Sequence, residues 1–209
     1  MRGLSRAFCL AIGFAALVTL GGAVSSGAAS AQERLIVALG DSDTQGVGVA
    51  PQQAFPARLE SILRGSGYDV RVANAGVAGD TFARMFGRVN SSVPVGTALV
   101  IVQGGYNDLQ SGLPPAQIIA NLRVVLAAIR ARGAKAVVCG FFKPEWDAMG
   151  RGAAAMYQAV FIPGQDCYDP RYLGPDQLHM SAGGHAIVAQ RLAGVLTPML
   201  STRSPQHRR

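Results

Sequence analysis

Apolar runs alternate with amphipathic stretches along most of this chain. Arg34-Leu35-Ile36-Val37-Ala38-Leu39 is β-prone, apolar almost throughout and closed by Gly40, the pattern of a strand buried on both faces. Val70-Arg71-Val72-Ala73, Ala98-Leu99-Val100-Ile101-Val102 and Ala136-Val137-Val138-Cys139 predict three more strands. Between them the apolar residues fall at helical spacing. Leu59, Ile62 and Leu63 share one face over Phe55 to Arg64, ended near Gly65 and Gly67. Thr81 to Val89 reads as a short helix. Pro114-Pro115 opens a longer one, with Ile118, Ile119, Leu122, Val125, Leu126 and Ile129 in register and Gly133 beyond its end. Ser181 caps a last helix, with Ile187, Val188, Leu192, Val195 and Leu196 on one side and Pro198 as its stop. Lys143 to Gly174 is ambiguous. Within it, Tyr157 to Ile162 fits either a fifth strand or part of a helix.

Strands that alternate with helices form βαβ units, and continuously apolar strands belong to a parallel sheet covered on both faces. The expected fold is α/β, a three-layer α/β/α sandwich on a parallel sheet of four or five strands. No internal repeat or interdomain linker interrupts it.

The N-terminus stands apart. Arg2 and Arg6 precede an apolar stretch from Ala7 to Val24, followed by small residues ending in Ala29-Ser30-Ala31. That is the order of a secretory signal peptide, expected over 1–31. A membrane anchor is the alternative, since the run approaches transmembrane length, but its Ala and Gly content and A-x-A site favour cleavage. The expected location is periplasmic or extracellular, with one folded domain over 32–201 and a disordered basic tail over 202–209. The formal net charge of +7 counts both leader arginines and Arg203, Arg208 and Arg209 of the tail, so the folded body is only mildly basic. It carries no basic stripe for nucleic acid. At 49% hydrophobic and 15% charged, the chain has the apolar content for a core and is not disordered. Cys139 and Cys167 remain after cleavage. They fit either a disulfide, which an exported protein can keep, or two separate buried thiols. Neither has the spacing of a metal site.

In open parallel sheets, sites form beyond the carboxyl ends of the strands. Gly40-Asp41-Ser42-Asp43-Thr44 follows the first strand, Asn74-Ala75-Gly76-Val77-Ala78-Gly79-Asp80 the second, and Gly104-Gly105-Tyr106-Asn107-Asp108 the third. Asp176-Gln177-Leu178-His179 precedes the last helix. A serine hydroxyl is a weak nucleophile that needs a base, and His179 is the natural one. Asp176, three residues earlier, would fix its tautomer. The backbone N–H groups of Ser42 and Gly79 and the side-chain amide of Asn107 are the candidate oxyanion donors. Tyr106 is the aromatic expected at the site, while His185, on the last helix, reads as structural. Phe141, Phe142, Trp146, Tyr157, Phe161, Tyr168 and Tyr172 crowd the segment before Asp176, fitting an acyl or aryl wall for some and ordinary core anchoring for most.

Taken together, these blocks resemble the SGNH (GDSL-type) hydrolase family. Gly40-Asp41-Ser42 is similar to its nucleophile block. Asn74 through Gly79-Asp80-Thr81 resembles the second, Gly105-Tyr106-Asn107-Asp108 the third, and Asp176-Gln177-Leu178-His179 the fifth. The resemblance implies a flavodoxin-like sandwich and cofactor-free, metal-free hydrolysis of carboxylic esters or thioesters, as in the small secreted esterases. Deacetylation of a polysaccharide would use the same machinery. One departure is Asp43, where the family usually has an aliphatic residue. A carboxylate there would act on His179, meet the substrate, or cap the helix. Two other classes compete. Asp41-Ser42-Asp43-Thr44 also approaches the opening of haloacid dehalogenase-like phosphatases, but Gln45 breaks that pattern and no later acidic pair for Mg²⁺ follows. A binding protein whose glycine loops cradle an anion would leave Asp176 and His179 unexplained.

Overall fold

The computed structural model of the protein describes residues 33–141 and 143–200. The leader expected at 1–31, Phe142 and the tail expected at 202–209 lie outside them. Five strands, β1 (Arg34–Gly40), β2 (Val70–Gly76), β3 (Leu99–Val102), β4 (Lys135–Cys139) and β5 (Val160–Ile162), form one sheet in the order β2-β1-β3-β4-β5. Every pairing is parallel. The helices are α1 (Ser42–Gln45), α2 (Phe55–Gly65), α3 (Phe82–Ser92), α4 (Tyr106–Gln110), α5 (Pro115–Ala131), α6 (Asp147–Met156), α7 (Gly164–Cys167) and α8 (Ala182–Leu196).

Side-chain direction alternates along a strand, so each central strand feeds two cores. Ile36 and Ala38 of β1 and Leu99 and Ile101 of β3 turn to one face, where they meet Phe55, Leu59 and Leu63 of α2 and Val188, Leu192 and Leu196 of α8. Val37, Leu39, Val100 and Val102 turn to the other, against Phe82, Met85 and Val89 of α3 and Ile118, Leu122, Val125 and Ile129 of α5. All of these side chains are 2% exposed or less, which is why both central strands read as unbroken apolar runs.

The ambiguous segment resolves into α6 and a three-residue β5 at the sheet edge, so only the end of Tyr157–Ile162 is strand. α3 is longer than its pattern suggests and reaches Ser92, with the Thr81 hydroxyl accepting from Arg84 N–H at its start. Cys139, at the end of β4, and Cys167, at the end of α7, are joined as a disulfide with Cα atoms 5.7 Å apart. Among the described residues, no helix is long and apolar enough to cross a membrane.

The sheet order matters for the site. From β1 the chain crosses to β2 on one side and then back past β1 to β3 on the other, leaving a crevice at the carboxyl ends where the order reverses.

Candidate active site

Ser42 is the first residue of α1, separated from β1 by Asp41 alone. The turn is fixed by Asp41, whose carboxylate accepts from Asp43 N–H at 3.2 Å. α1 packs against the end of β2 so closely that a Cβ on Gly76 would lie 2.1 Å from the Gln45 nitrogen, so only glycine fits there. Gln45 in turn holds the loop after β2. Its side-chain oxygen accepts from Ala78 N–H at 2.6 Å and its carbonyl from Asn74 Nδ2 at 3.2 Å. Gly79 follows at φ 77°, a left-handed conformation that glycine adopts without strain.

Asn107 lies in the first turn of α4 and donates through Nδ2 to the Asp80 carbonyl at 2.9 Å and, at 3.4 Å, to Asp41 Oδ2. Its amide is therefore held at the ends of β1 and β2. Beneath it, Arg88 spans both strand ends: Nη2 donates to Gly40 O at 3.0 Å, Nη1 to Ala75 O at 2.8 Å, and Nε to Asp80 Oδ2 at 2.7 Å. Buried Asp108 receives the Phe82 N–H at 3.0 Å, tying the start of α3 to α4.

His179 sits on a tight loop closed by an antiparallel bridge between Leu173 and Met180, with Gly174 N–H donating to the His179 carbonyl at 2.8 Å. Asp176 organises that loop. Its Oδ1 accepts from Leu178 and His179 N–H, both at 3.0 Å, and Oδ2 lies 2.6 Å from His179 Nδ1. Those bonds, with the imidazole contact foremost, hold the Asp176 carboxyl down at about 2. The ionised carboxylate accepts the Nδ1 proton and leaves Nε2 as the free ring nitrogen. No hydrogen bond joins Ser42 Oγ to His179 among the described residues. Such contacts commonly tighten only with substrate.

One cavity of about 200 Å³ gathers these groups: Ser42, Asp43, Gly79, Tyr106, Asn107 and His179 all line it. Of the six clustered aromatics among the described residues, only Tyr168 contributes, its hydroxyl donating to the Leu178 carbonyl at 3.1 Å. Phe141 is core, Trp146, Tyr157 and Phe161 pack against the same core, and Tyr172 lies under Arg171. Asp43 does not cap α1, because Asp41 does. The Asp43 carboxylate accepts from Met180 N–H at 3.3 Å. Burial, opposed by that bond and by His179, raises its carboxyl to about 6. Burial and the neighbouring Asp43 raise Asp41 further, to about 7. His185 is fully buried away from the cavity, its Nδ1 accepting from Phe55 N–H at 3.2 Å.

Two contributors were not singled out from sequence. Gln103 lines the cavity, and its side-chain oxygen accepts from Thr44 Oγ1 at 2.7 Å and Asp41 N–H at 3.3 Å. It directly follows β3, a position that marks it in hindsight. Arg88 gives no such sign, since its partners come together only in the fold.

The match to known proteins agrees with this geometry. Residues 38–187 match the GDSL-like Lipase/Acylhydrolase family. Over 117 residues the chain is 38% identical to the esterase TesA of Pseudomonas aeruginosa, a stretch covering 56% of this chain and 57% of that one. It is 34% identical over 114 residues to the arylesterase of Vibrio mimicus, covering 54% and 56%. The matched stretch thus spans little more than half the length of these curated relatives. A crystal structure of TesA superposes with a TM-score of 0.71 at 26% identity, covering 80% of this chain and all of the other. That of AlinE4, an SGNH-hydrolase family esterase, gives 0.63 at 30% identity, covering 82% and 98%. On its sequence and its five-stranded parallel sheet alike, the chain belongs to the GDSL-like lipase/acylhydrolase family.

Proposed function

We propose that the protein is an exported serine esterase that cleaves carboxylic esters or thioesters with short acyl or aryl groups. The observation that carries this is the convergence of Ser42, His179, Gly79 and Asn107 on one cavity, with Asp176 bonded to His179 Nδ1 behind it. Ser42 Oγ attacks the substrate carbonyl carbon while its proton passes to His179 Nε2. The tetrahedral oxyanion takes hydrogen bonds from the Ser42 and Gly79 N–H groups and from Asn107 Nδ2. The carbonyl re-forms, the bond to the leaving oxygen or sulfur breaks, and that atom takes the proton from Nε2. Water then repeats the sequence on the acyl-enzyme, releasing the acid and restoring the serine. Val47, Ala78, Tyr106, Tyr168 and Leu178 give the cavity an apolar lining suited to a small acyl or aryl group.

Residues 1–31 act as the export leader in this reading, and the mature chain starts at Gln32. Mass spectrometry of secreted or periplasmic protein checks that start. The activity is tested with a fluorophosphonate probe: labelling should survive EDTA and disappear in Ser42→Ala. A panel of p-nitrophenyl esters of rising chain length, run beside acetylated xylan, separates acyl-ester cleavage from polysaccharide deacetylation. Turnover by Ser42→Ala at the wild-type rate on every ester sinks the mechanism.

A further inference from the structure

Asp43 stands where an aliphatic residue is usual, yet it does not simply face solvent. It follows Ser42 on α1 and lines the cavity. Its Oδ1 accepts from the N–H of Met180, the residue after His179, across 137 positions of sequence. The nucleophile is fixed by α1 and its cap, and the base by the loop that Asp176 organises. Those two units are far apart in the sequence and meet at the cavity. Among the described residues, the Asp43–Met180 bond is the hydrogen bond that links them. An aliphatic side chain has no acceptor to offer there.

We propose that Asp43 is a positioning residue, whose carboxylate ties the His179 loop to the nucleophile helix and so sets the approach of the base to Ser42. The inference rests on the serine-esterase reading above. Substitution at Asp43 leaves the α1 cap intact, because Asp43 gives that cap only its backbone N–H. The side chain acts on His179 through the main chain of the next residue. A small error in the placing of a base costs turnover far more than it costs substrate binding.

The test compares three variants with wild type on p-nitrophenyl acetate, with melting temperatures taken alongside. Asp43→Ala removes the acceptor and should lower kcat roughly 10- to 100-fold while KM changes less than about threefold. Fluorophosphonate labelling of Ser42, which uses the same base, should slow in parallel. Asp43→Asn keeps an oxygen that accepts from Met180 N–H and should restore kcat to within about threefold of wild type. Asp43→Leu keeps the branching at Cγ, with more bulk and no acceptor. It should behave like Asp43→Ala, and it stands in for that variant if the alanine protein does not fold. Wild-type kcat in Asp43→Ala or Asp43→Leu, or equal impairment in Asp43→Asn, overturns the role of Asp43 and leaves the esterase intact. Wild-type protein with no Ser42-dependent turnover removes both.

Discussion

Asp176 grips His179 twice, with Oδ2 2.6 Å from the imidazole Nδ1 and Oδ1 3.0 Å from the His179 backbone nitrogen. One carboxylate therefore sets both where the histidine sits and which ring nitrogen carries the proton. The two effects separate on mutation. Asp176→Asn can keep the backbone bond through its amide oxygen but offers a second donor, not an acceptor, to Nδ1–H. The wrong tautomer is then favoured. We expect kcat to fall about 10²–10⁴-fold with the fold retained, read from ester turnover and circular dichroism. Ser42→Ala and His179→Ala should each abolish turnover, and the double variant should be little worse, because the two act as one unit.

The Asn107 amide is held in the ground state by the Asp80 carbonyl at 2.9 Å. That bond orients the donor before charge develops, the condition under which it contributes most to the transition state. Asn107→Ala should lose about 10²–10³-fold in kcat with little change in KM, and should still label slowly with a fluorophosphonate. Loss confined to KM would place Asn107 in ground-state binding instead.

The site was more legible in the sequence than the layer behind it. Ser42, Gly79, Asn107 and the Asp176–His179 pair each sit on a turn after a recognisable strand or before a recognisable helix, and parallel topology brings such turns to one edge. β1 and β3 announced themselves because both their faces are buried. β5 did not, since three residues at a sheet edge are too few to establish a period. Nor did α6, whose buried stripe, Gly150, Ala153 and Ala154, holds no large apolar residue. Gly150 is small because the Phe141 and Phe161 rings occupy the space a side chain would need. The scaffold under the candidate oxyanion donors was out of reach altogether. Arg88 bonds to Gly40, Ala75 and Asp80, and nothing in the local pattern of α3 names those partners.

The disulfide ties the end of β4 to the short helix before Tyr168, and Cys167 itself lines the cavity. Closing a loop with a separation of 28 residues restricts the unfolded chain by roughly 3–4 kcal/mol on the chain-entropy account. Reduction, or Cys139→Ser with Cys167→Ser, should lower Tm by about 10 °C for a domain of this size. The cavity wall should loosen too, so KM for bulky aryl esters should move more than KM for acetate. Two titratable thiols in the non-reduced, oxidatively purified protein would dispose of the bridge.

His185 and Asp41 pull stability in opposite directions with pH. His185 is fully buried, and burial, reinforced by the nearby Arg58, holds it down at about 4. The folded state then binds its proton less readily than the unfolded state. Its contribution is present above the ordinary histidine value near 6.5 and is lost as pH falls towards 4. Protonation also turns Nδ1 into a donor facing the Phe55 N–H, so that bond breaks. Asp41, raised to about 7, does the reverse: the folded state keeps its proton, and stability rises as pH falls from 7. Asp43, raised to about 6, acts in the same sense as Asp41, so in wild type the loss at His185 offsets only part of the gain from the two carboxyls between pH 7.5 and 4.5. His185→Leu removes one side of that balance. At pH 7.5 the variant loses the acceptor for Phe55 N–H and should be destabilised by about 1–3 kcal/mol. At pH 4.5 it also escapes the protonation penalty of about 2–3 kcal/mol, so its deficit should shrink to near zero or reverse. Urea unfolding at the two pH values measures both differences, and ester turnover at pH 7.5 should stay near wild type because His185 lies outside the cavity. An equal deficit at both pH values would show that His185 does not titrate against folding, and a collapse of turnover would make it a candidate base in place of His179.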